Sequence, residues 1–161
     1  MIEVERKFLV VSDAFKADAI RVESMQQGFL STDPERTVRV RVLDNSGKLT
    51  IKGASSTDGT SRFEWERELP LTEAQHLLDL CLPGMISKQR YIIPVGAHTF
   101  EVDVFSGDNE GLIVAEVELS AADEDFPKPD WLGEEVTGDA KYYNSQLAIK
   151  PYSKWLDTSF L

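Results

Sequence analysis

The stretch Glu3-Val4-Glu5-Arg6-Lys7-Phe8 decides how this chain is read. In a β-strand successive side chains point to opposite faces, so Glu3, Glu5 and Lys7 share one face while Val4 and Phe8 share the other. The apolar face has an ordinary use. The charged face, with two acids followed by a base, does not.

The same alternation recurs outward from this segment. Period-two patterning predicts eight strands, near residues 2–10, 26–30, 36–43, 48–52, 62–69, 86–93, 98–105 and 112–119. The third sets Arg39 and Arg41 against Val38, Val40 and Val42, and the fourth sets Thr50 and Lys52 against Leu49 and Ile51. The fifth offers Glu64, Glu66 and Glu68 against Phe63 and Trp65, and the sixth offers Lys88 and Arg90. The seventh sets Glu101 and Asp103 against Phe100, Val102 and Val104, and the eighth sets Glu116 and Glu118 against Ala115, Val117 and Leu119. Asp44-Asn45-Ser46-Gly47 reads as a hairpin turn. Helices are predicted from Ser12 or Asp13 to Ile20, from the capping-box segment Thr72-Glu73-Ala74-Gln75 through Leu82, and from Lys141 to Ile149. No repeat or linker interrupts the pattern, so residues 1–161 read as one domain.

A charged strand face has two explanations. It can be the wet side of an open sheet or sandwich. It can also line a closed barrel, since about eight strands enclose room for one small ligand. The sorting of charge favours the barrel. Acids lie on strands one, five, seven and eight, and bases on three, four and six. Carboxylates at i, i+2 repel one another without a partner. A hard divalent cation such as magnesium or manganese removes that objection, because it takes oxygen ligands and bridges carboxylates to phosphates. Arginine and lysine would then hold the phosphates, arginine in bidentate fashion and lysine as a point charge.

Composition bounds the alternatives. The chain has 161 residues, 42% hydrophobic and 28% charged, with a formal net charge of -11. An acidic chain is a poor non-specific nucleic-acid binder. The single cysteine, Cys81, excludes an internal disulfide. No apolar run is long enough to span a bilayer as a helix, and the charged start lacks a signal-peptide core, so a cytoplasmic setting is expected.

The quoted segments carry a resemblance. Glu3-x-Glu5-x-Lys7 is similar to the E-x-E-x-K signature of the CYTH superfamily, the triphosphate tunnel metalloenzymes. The match continues through Gln27-Gly28-Phe29-Leu30, Val38-Arg39-Val40-Arg41, Thr50-Ile51-Lys52, Glu64-Trp65-Glu66, Lys88-Gln89-Arg90-Tyr91, Phe100-Glu101-Val102-Asp103-Val104-Phe105 and Glu116-Val117-Glu118. It ends in Glu135-Val136-Thr137-Gly138-Asp139-x-Lys141-Tyr142. The order is the family's, and the chain resembles its short bacterial members most. The resemblance implies an α+β fold, an eight-stranded antiparallel tunnel with helices packed outside, needing Mg2+ or Mn2+. Many short bacterial members hydrolyse inorganic triphosphate; others act on nucleoside or thiamine triphosphates, and one class forms cyclic AMP. Related short members can carry tyrosine where this chain has Phe29, a departure that bears on rate or preference and not on the fold.

These readings converge on one set of expectations. Glu5, Glu116 and Glu118, helped by Glu3, Glu64 and Glu66, are expected to hold one or two cations, with Asp103 orienting a basic neighbour or standing behind the metal. Lys7, Arg39, Arg41, Lys52 and Arg90 are expected to clamp phosphates. Lys88 is expected to bind substrate and to activate water or steady the departing phosphate, with Arg90 beside it in the reaction, and Lys141 is expected to bind substrate at one tunnel mouth. Arg6, Arg62, Arg67 and Glu68 read as surface or rim charges, and Glu101 as either a metal-side acid or the partner of a lumen arginine. His76, His98, Cys81, Trp131, Trp155 and Tyr142-Tyr143 read as structural. The leading expectation is hydrolysis of tripolyphosphate by a monomer or homodimer that binds neither nucleic acid nor membrane. The rivals are a nucleoside or thiamine triphosphatase, or an adenylate cyclase-like enzyme, of the same fold, and a non-catalytic polyphosphate-binding module.

Overall fold

Alternation along the chain becomes registry across one antiparallel sheet. In the computed structural model, which describes residues 1–155, the order is β1 (Ile2–Val10), α1 (Phe15–Asp18), β2 (Arg21–Ser31), β3 (Arg36–Leu43), β4 (Ser46–Ser55), β5 (Ser61–Leu69) and α2 (Leu71–Asp79). It continues with β6 (Ile86–Val95), β7 (His98–Phe105), β8 (Ile113–Glu118), β9 (Leu132–Glu135) and α3 (Asn144–Ile149). Neighbours run β5-β4-β3-β2-β6-β7-β8-β1. The circle closes where β1 returns to β5 through Ile2↔Phe63, Glu3↔Arg62 and Val4↔Ser61. This is a closed eight-stranded antiparallel barrel. The short β9 adds to the other end of the same β1 edge, at Phe8↔Glu135 and Val10↔Leu132.

Several boundaries differ from the sequence expectation. β2 begins at Arg21 and not near residue 26, because β6 offers an unbroken partner from Arg21↔Ile92 to Gln27↔Ile86. α1 is only four residues long. α2 starts after Pro70, one residue ahead of Thr72, and stops at Asp79, before Leu80 and Leu82. The expected final helix is split. Asp139 accepts a hydrogen bond from the Lys141 amide and starts a 3-10 turn, and extended backbone at Tyr143 (φ -68°, ψ 135°) separates that turn from α3.

The apolar strand faces point outward. On one side Phe8, Ile93, Phe100, Val102, Ala115 and Val117 form a shell covered by Phe15 of α1 and by Trp131. Phe100 and Phe15 meet the Trp131 ring edge-on at 5.4 and 5.9 Å. Burying each such side chain contributes roughly 1.5–3 kcal/mol. On another side α2 lays Ala74 and Leu78 over Val40, with Val42 and Leu49 alongside. Gly47 permits this approach: a Cβ there would lie 2.2 Å from that of Ala74.

A third apolar cluster sits inside. Ile86 shares parity with Lys88, Phe105 with Asp103, and Val114 with Glu116, so these apolar side chains face the lumen. They pack with Phe29, Leu112, Val136, Tyr142 and Leu147. One end of the lumen is therefore filled with hydrocarbon. α3 belongs to this plug through Leu147, where the sequence reading places all helices outside the wall. Among the described residues no helix is long and apolar enough to cross a membrane.

Candidate active site

Inside the barrel the polar faces enclose a cavity of about 350 Å3. Strand order turns the scattered charges of the sequence into two walls. β4, β3, β2 and β6 are consecutive and bring Lys48, Lys52, Arg39, Arg41, Lys88 and Arg90 together. β7, β8, β1 and β5 are also consecutive and bring Glu101, Glu116, Glu118, Glu3, Glu5, Glu64 and Glu66 together. Lys7 stands on the acidic wall. Its ammonium lies 3.7 Å from Glu116 Oε1, 3.4 Å from the Tyr142 carbonyl and 5.4 Å from the centre of the Tyr143 ring.

The cations are held without being fully used. Arg39 Nη2 donates to Thr50 Oγ1 at 3.2 Å, and that hydroxyl donates on to Glu66 Oε2 at 2.9 Å. The Arg39 Nε–H is buried and has no protein acceptor. An orphaned, charged donor in a polar cavity is costly unless a ligand meets it. Burial lowers the pKa of Arg39 and, more strongly, of Arg41, and each feels neighbouring guanidinium groups. Both remain charged, since guanidinium is not deprotonated in proteins.

Lys88 is the most buried of the lysines in the lumen. Its Nζ lies 2.7 Å from Asp103 Oδ2 and 3.0 Å from Asn144 Oδ1. Burial, aided by Arg90 and Arg41, holds its pKa down at about 7 against the pull of Asp103. Asp103 also accepts two hydrogen bonds from Arg90, so its oxygens are turned toward β6. Despite its burial, those two cations hold the Asp103 carboxyl far below its ordinary range.

The acidic wall is crowded. Glu5 faces Glu118 across the β1–β8 ladder, and Glu101 faces Glu116 across β7–β8. Directly opposed like charges destabilise a sheet. Burial, then Glu116 and Glu3, push the Glu5 carboxyl well above its usual range. Glu116 is held at about 2 despite its burial, chiefly by Lys7 and Arg90. Burial and Glu3 raise Glu64 to about 7. Among the described residues no three Asp, Glu, His or Cys side chains form a ready-made metal cage. The donor set is nonetheless all carboxylate oxygen, and the opposed pairs are the kind a hard divalent cation relieves. In donor type the residues fit such an ion.

Most of the expected residues meet here. Glu3 binds Lys52 at 2.9 Å, and Glu64 lies 3.5 Å from the same ammonium. Glu101 lies 3.3 Å from Arg90, so it partners a lumen arginine while also lining the cavity. Lys141 is exposed, lies outside the cavity lining and sits over the Tyr142 and Trp155 rings. Arg62 is not a mere rim charge. It lines the cavity, donating to the Gly53 carbonyl and Thr37 Oγ1. Its parity with Glu64 and Glu66 was the available signal, as was that of Lys48 with Thr50 and Lys52. Gln27 and Asn144 carry no charge, and nothing in a charge pattern marks them.

A closed barrel with cations and carboxylates on opposing walls defines a class of anion-binding tunnel. The chain belongs to the CYTH domain family, whose model matches residues 1–147. The chain is 46% identical over 154 residues to an inorganic triphosphatase of Acetivibrio thermocellus, covering 95% of this chain and 97% of that one. It is 35% identical over 153 residues to an inorganic triphosphatase of Nitrosomonas europaea, covering 92% and 98%. The solved structure of the inorganic triphosphatase NE1496 superposes with a TM-score of 0.65 at 31% identity, covering 91% of this chain and 97% of that one.

Proposed function

We propose that this protein is a metal-dependent phosphoanhydride hydrolase that cleaves inorganic triphosphate to pyrophosphate and phosphate. The observation that carries this reading is the buried Arg39 Nε–H without an acceptor, on a cationic wall that faces paired carboxylates. The two relatives at 46% and 35% identity, both inorganic triphosphatases, support it. A cavity of about 350 Å3 suits a small polyanion.

In this reading Lys7, Arg39, Arg41, Lys52, Lys88 and Arg90 bind the phosphate chain. Phosphoryl transfer depends mainly on positioning and on stabilising charge, and fixed guanidinium groups supply both. Glu3, Glu5, Glu64, Glu66, Glu116 and Glu118 are the groups that would hold Mg2+ or Mn2+. When bound, such an ion neutralises phosphate charge and lowers the pKa of water. Asp103, committed to Lys88 and Arg90, orients those two cations and is not a ligand. Lys88, an ammonium held by Asp103 and Asn144, steadies the departing phosphate with the donor those two leave over. Lys141, outside the cavity and over the Tyr142 and Trp155 rings of the plugged end, is left out of the phosphate-binding set in this reading. We read residues 1–161 as one domain working in the cytoplasm.

The test is phosphate release from tripolyphosphate, pyrophosphate, ATP and thiamine triphosphate, each with and without magnesium or manganese. Metal-dependent release from tripolyphosphate in preference to the others is expected. Preference for ATP or thiamine triphosphate would replace the substrate, and tight tripolyphosphate binding without release would make the protein a binding module.

A further inference from the structure

Gln27 and Asn144 form a chain of neutral amides between two lumen cations. Gln27 is fully buried, and its Oε1 accepts from both Nε and Nη2 of Arg41, at 3.1 and 2.9 Å. With its oxygen committed, its Nε2 turns away and donates to Asn144 Oδ1 at 2.7 Å. The same oxygen accepts from Lys88 Nζ at 3.0 Å. The orientation of both amides follows from this arrangement: flipping either would press an N–H2 group against a cation.

We propose that Gln27 and Asn144 are positioning residues that fix Arg41 and Lys88 in the pose that meets the substrate. This rests on the triphosphatase reading above. An ammonium has three donors, and Asp103 and Asn144 take two of the Lys88 set, leaving one for a ligand. A carboxylate at either amide position would hold its cation as firmly but cancel its charge. Amides orient the cations and leave the positive potential to the incoming anion. Asn144 begins α3, and Tyr143 before it lies under Lys7. Docking of the C-terminal segment therefore sets cations on both walls.

The experiment measures kcat and KM for tripolyphosphate hydrolysis in wild type, Asn144→Leu, Asn144→Asp, Gln27→Met and the Asn144→Leu/Gln27→Met double variant. Displacing a reacting group by about 1 Å can cost 10²-fold. Asn144→Leu, near-isosteric but without an acceptor, is expected to lower kcat roughly ten- to a hundred-fold with KM within about two-fold. Asn144→Asp keeps the acceptor, so its kcat is expected within a few-fold of wild type with KM raised about tenfold by the added negative charge. The double variant should lose less than the product of the single losses, because both break one chain. An Asn144→Leu protein with kcat within two-fold of wild type overturns the proposal, as does an Asn144→Asp loss in kcat equal to that of Asn144→Leu. If Asn144→Leu does not fold, Gln27→Met decides from the other end: an unchanged KM and kcat overturns the proposal, and a loss in either with intact melting behaviour supports it. Failure of wild type to release phosphate from tripolyphosphate sinks the triphosphatase reading itself, an outcome separate from these.

Discussion

Arg90 grips Asp103 side-on, with Nε 2.8 Å from Oδ1 and Nη2 2.9 Å from Oδ2, across the β6–β7 ladder where the two residues are register partners. Lys88 closes on the same carboxylate at 2.7 Å. One anion thus anchors two cations deep in the lumen. Asp103→Asn keeps the shape and removes that charge. It should destabilise the fold by about 3–5 kcal/mol, because it leaves buried cations short of a partner. Urea unfolding of the two proteins checks this.

Arg39 reaches the lumen with an unpartnered Nε–H, a donor that lysine lacks. Arg39→Lys keeps the charge and loses the planar fork. KM for tripolyphosphate should rise roughly tenfold, the value of one charge-assisted hydrogen bond of about 1.5 kcal/mol, while thermal stability stays near wild type. Steady-state kinetics and a melting curve, read together, test it.

Gly47 lets α2 rest directly on the barrel. A Cβ there would sit 2.2 Å from the Cβ of Ala74, so one element must move. Gly47→Ala should cost about 1–3 kcal/mol through overpacking. Adding Ala74→Gly should return part of that loss, less the helix penalty of glycine, about 1 kcal/mol. If the losses of Gly47→Ala and Ala74→Gly, each measured alone, simply add in the double variant, the contact is not the cause.

Asp58 fastens the turn between β4 and β5. Its Oδ1 accepts from Ser56 Oγ and Thr60 Oγ1, each at 2.7 Å, and from the Thr60 amide at 3.1 Å. These bonds hold its pKa at about 2 against an ordinary 3.8. The folded value lies below the unfolded one, so the fastening is complete above about pH 4 and is lost as pH falls through 2. The Thr60 amide resonance should report that step in a pH titration, and Asp58→Asn should abolish it.

Much of the barrel is legible in the chain because period two is a local property. Glu3, Glu5 and Lys7 announce a charged face without reference to any distant residue, and so do Arg39 with Arg41 and Glu116 with Glu118. Sorting of acids from bases is also visible, but its meaning is spatial. Only the order β5-β4-β3-β2-β6-β7-β8-β1 shows that the acidic strands are neighbours. What escapes the sequence lacks either length or charge. β9 is four residues with no alternation, and it exists because β1 has spare edge beyond β5. The start of β2 is recruited by β6 in the same way. Gln27 and Asn144, 117 positions apart, join only once the C-terminal segment reaches the lumen.

The shared edge of β1 also governs how the molecule is made. β1 leaves the ribosome before the other strands of this barrel, yet its partners are β5, β8 and β9, the last ending at Glu135. During synthesis its Ile2–Val4 end can pair once β5 has followed, but the Glu5–Leu9 stretch, with Phe8 bare, must wait for β8. Pairings between such distant residues are slow to form, and unpaired edges invite association with other chains. Barrel closure by β1 is thus the natural slow step of folding. The strand that carries Glu3, Glu5 and Lys7 is the one whose arrival completes both the wall and the site.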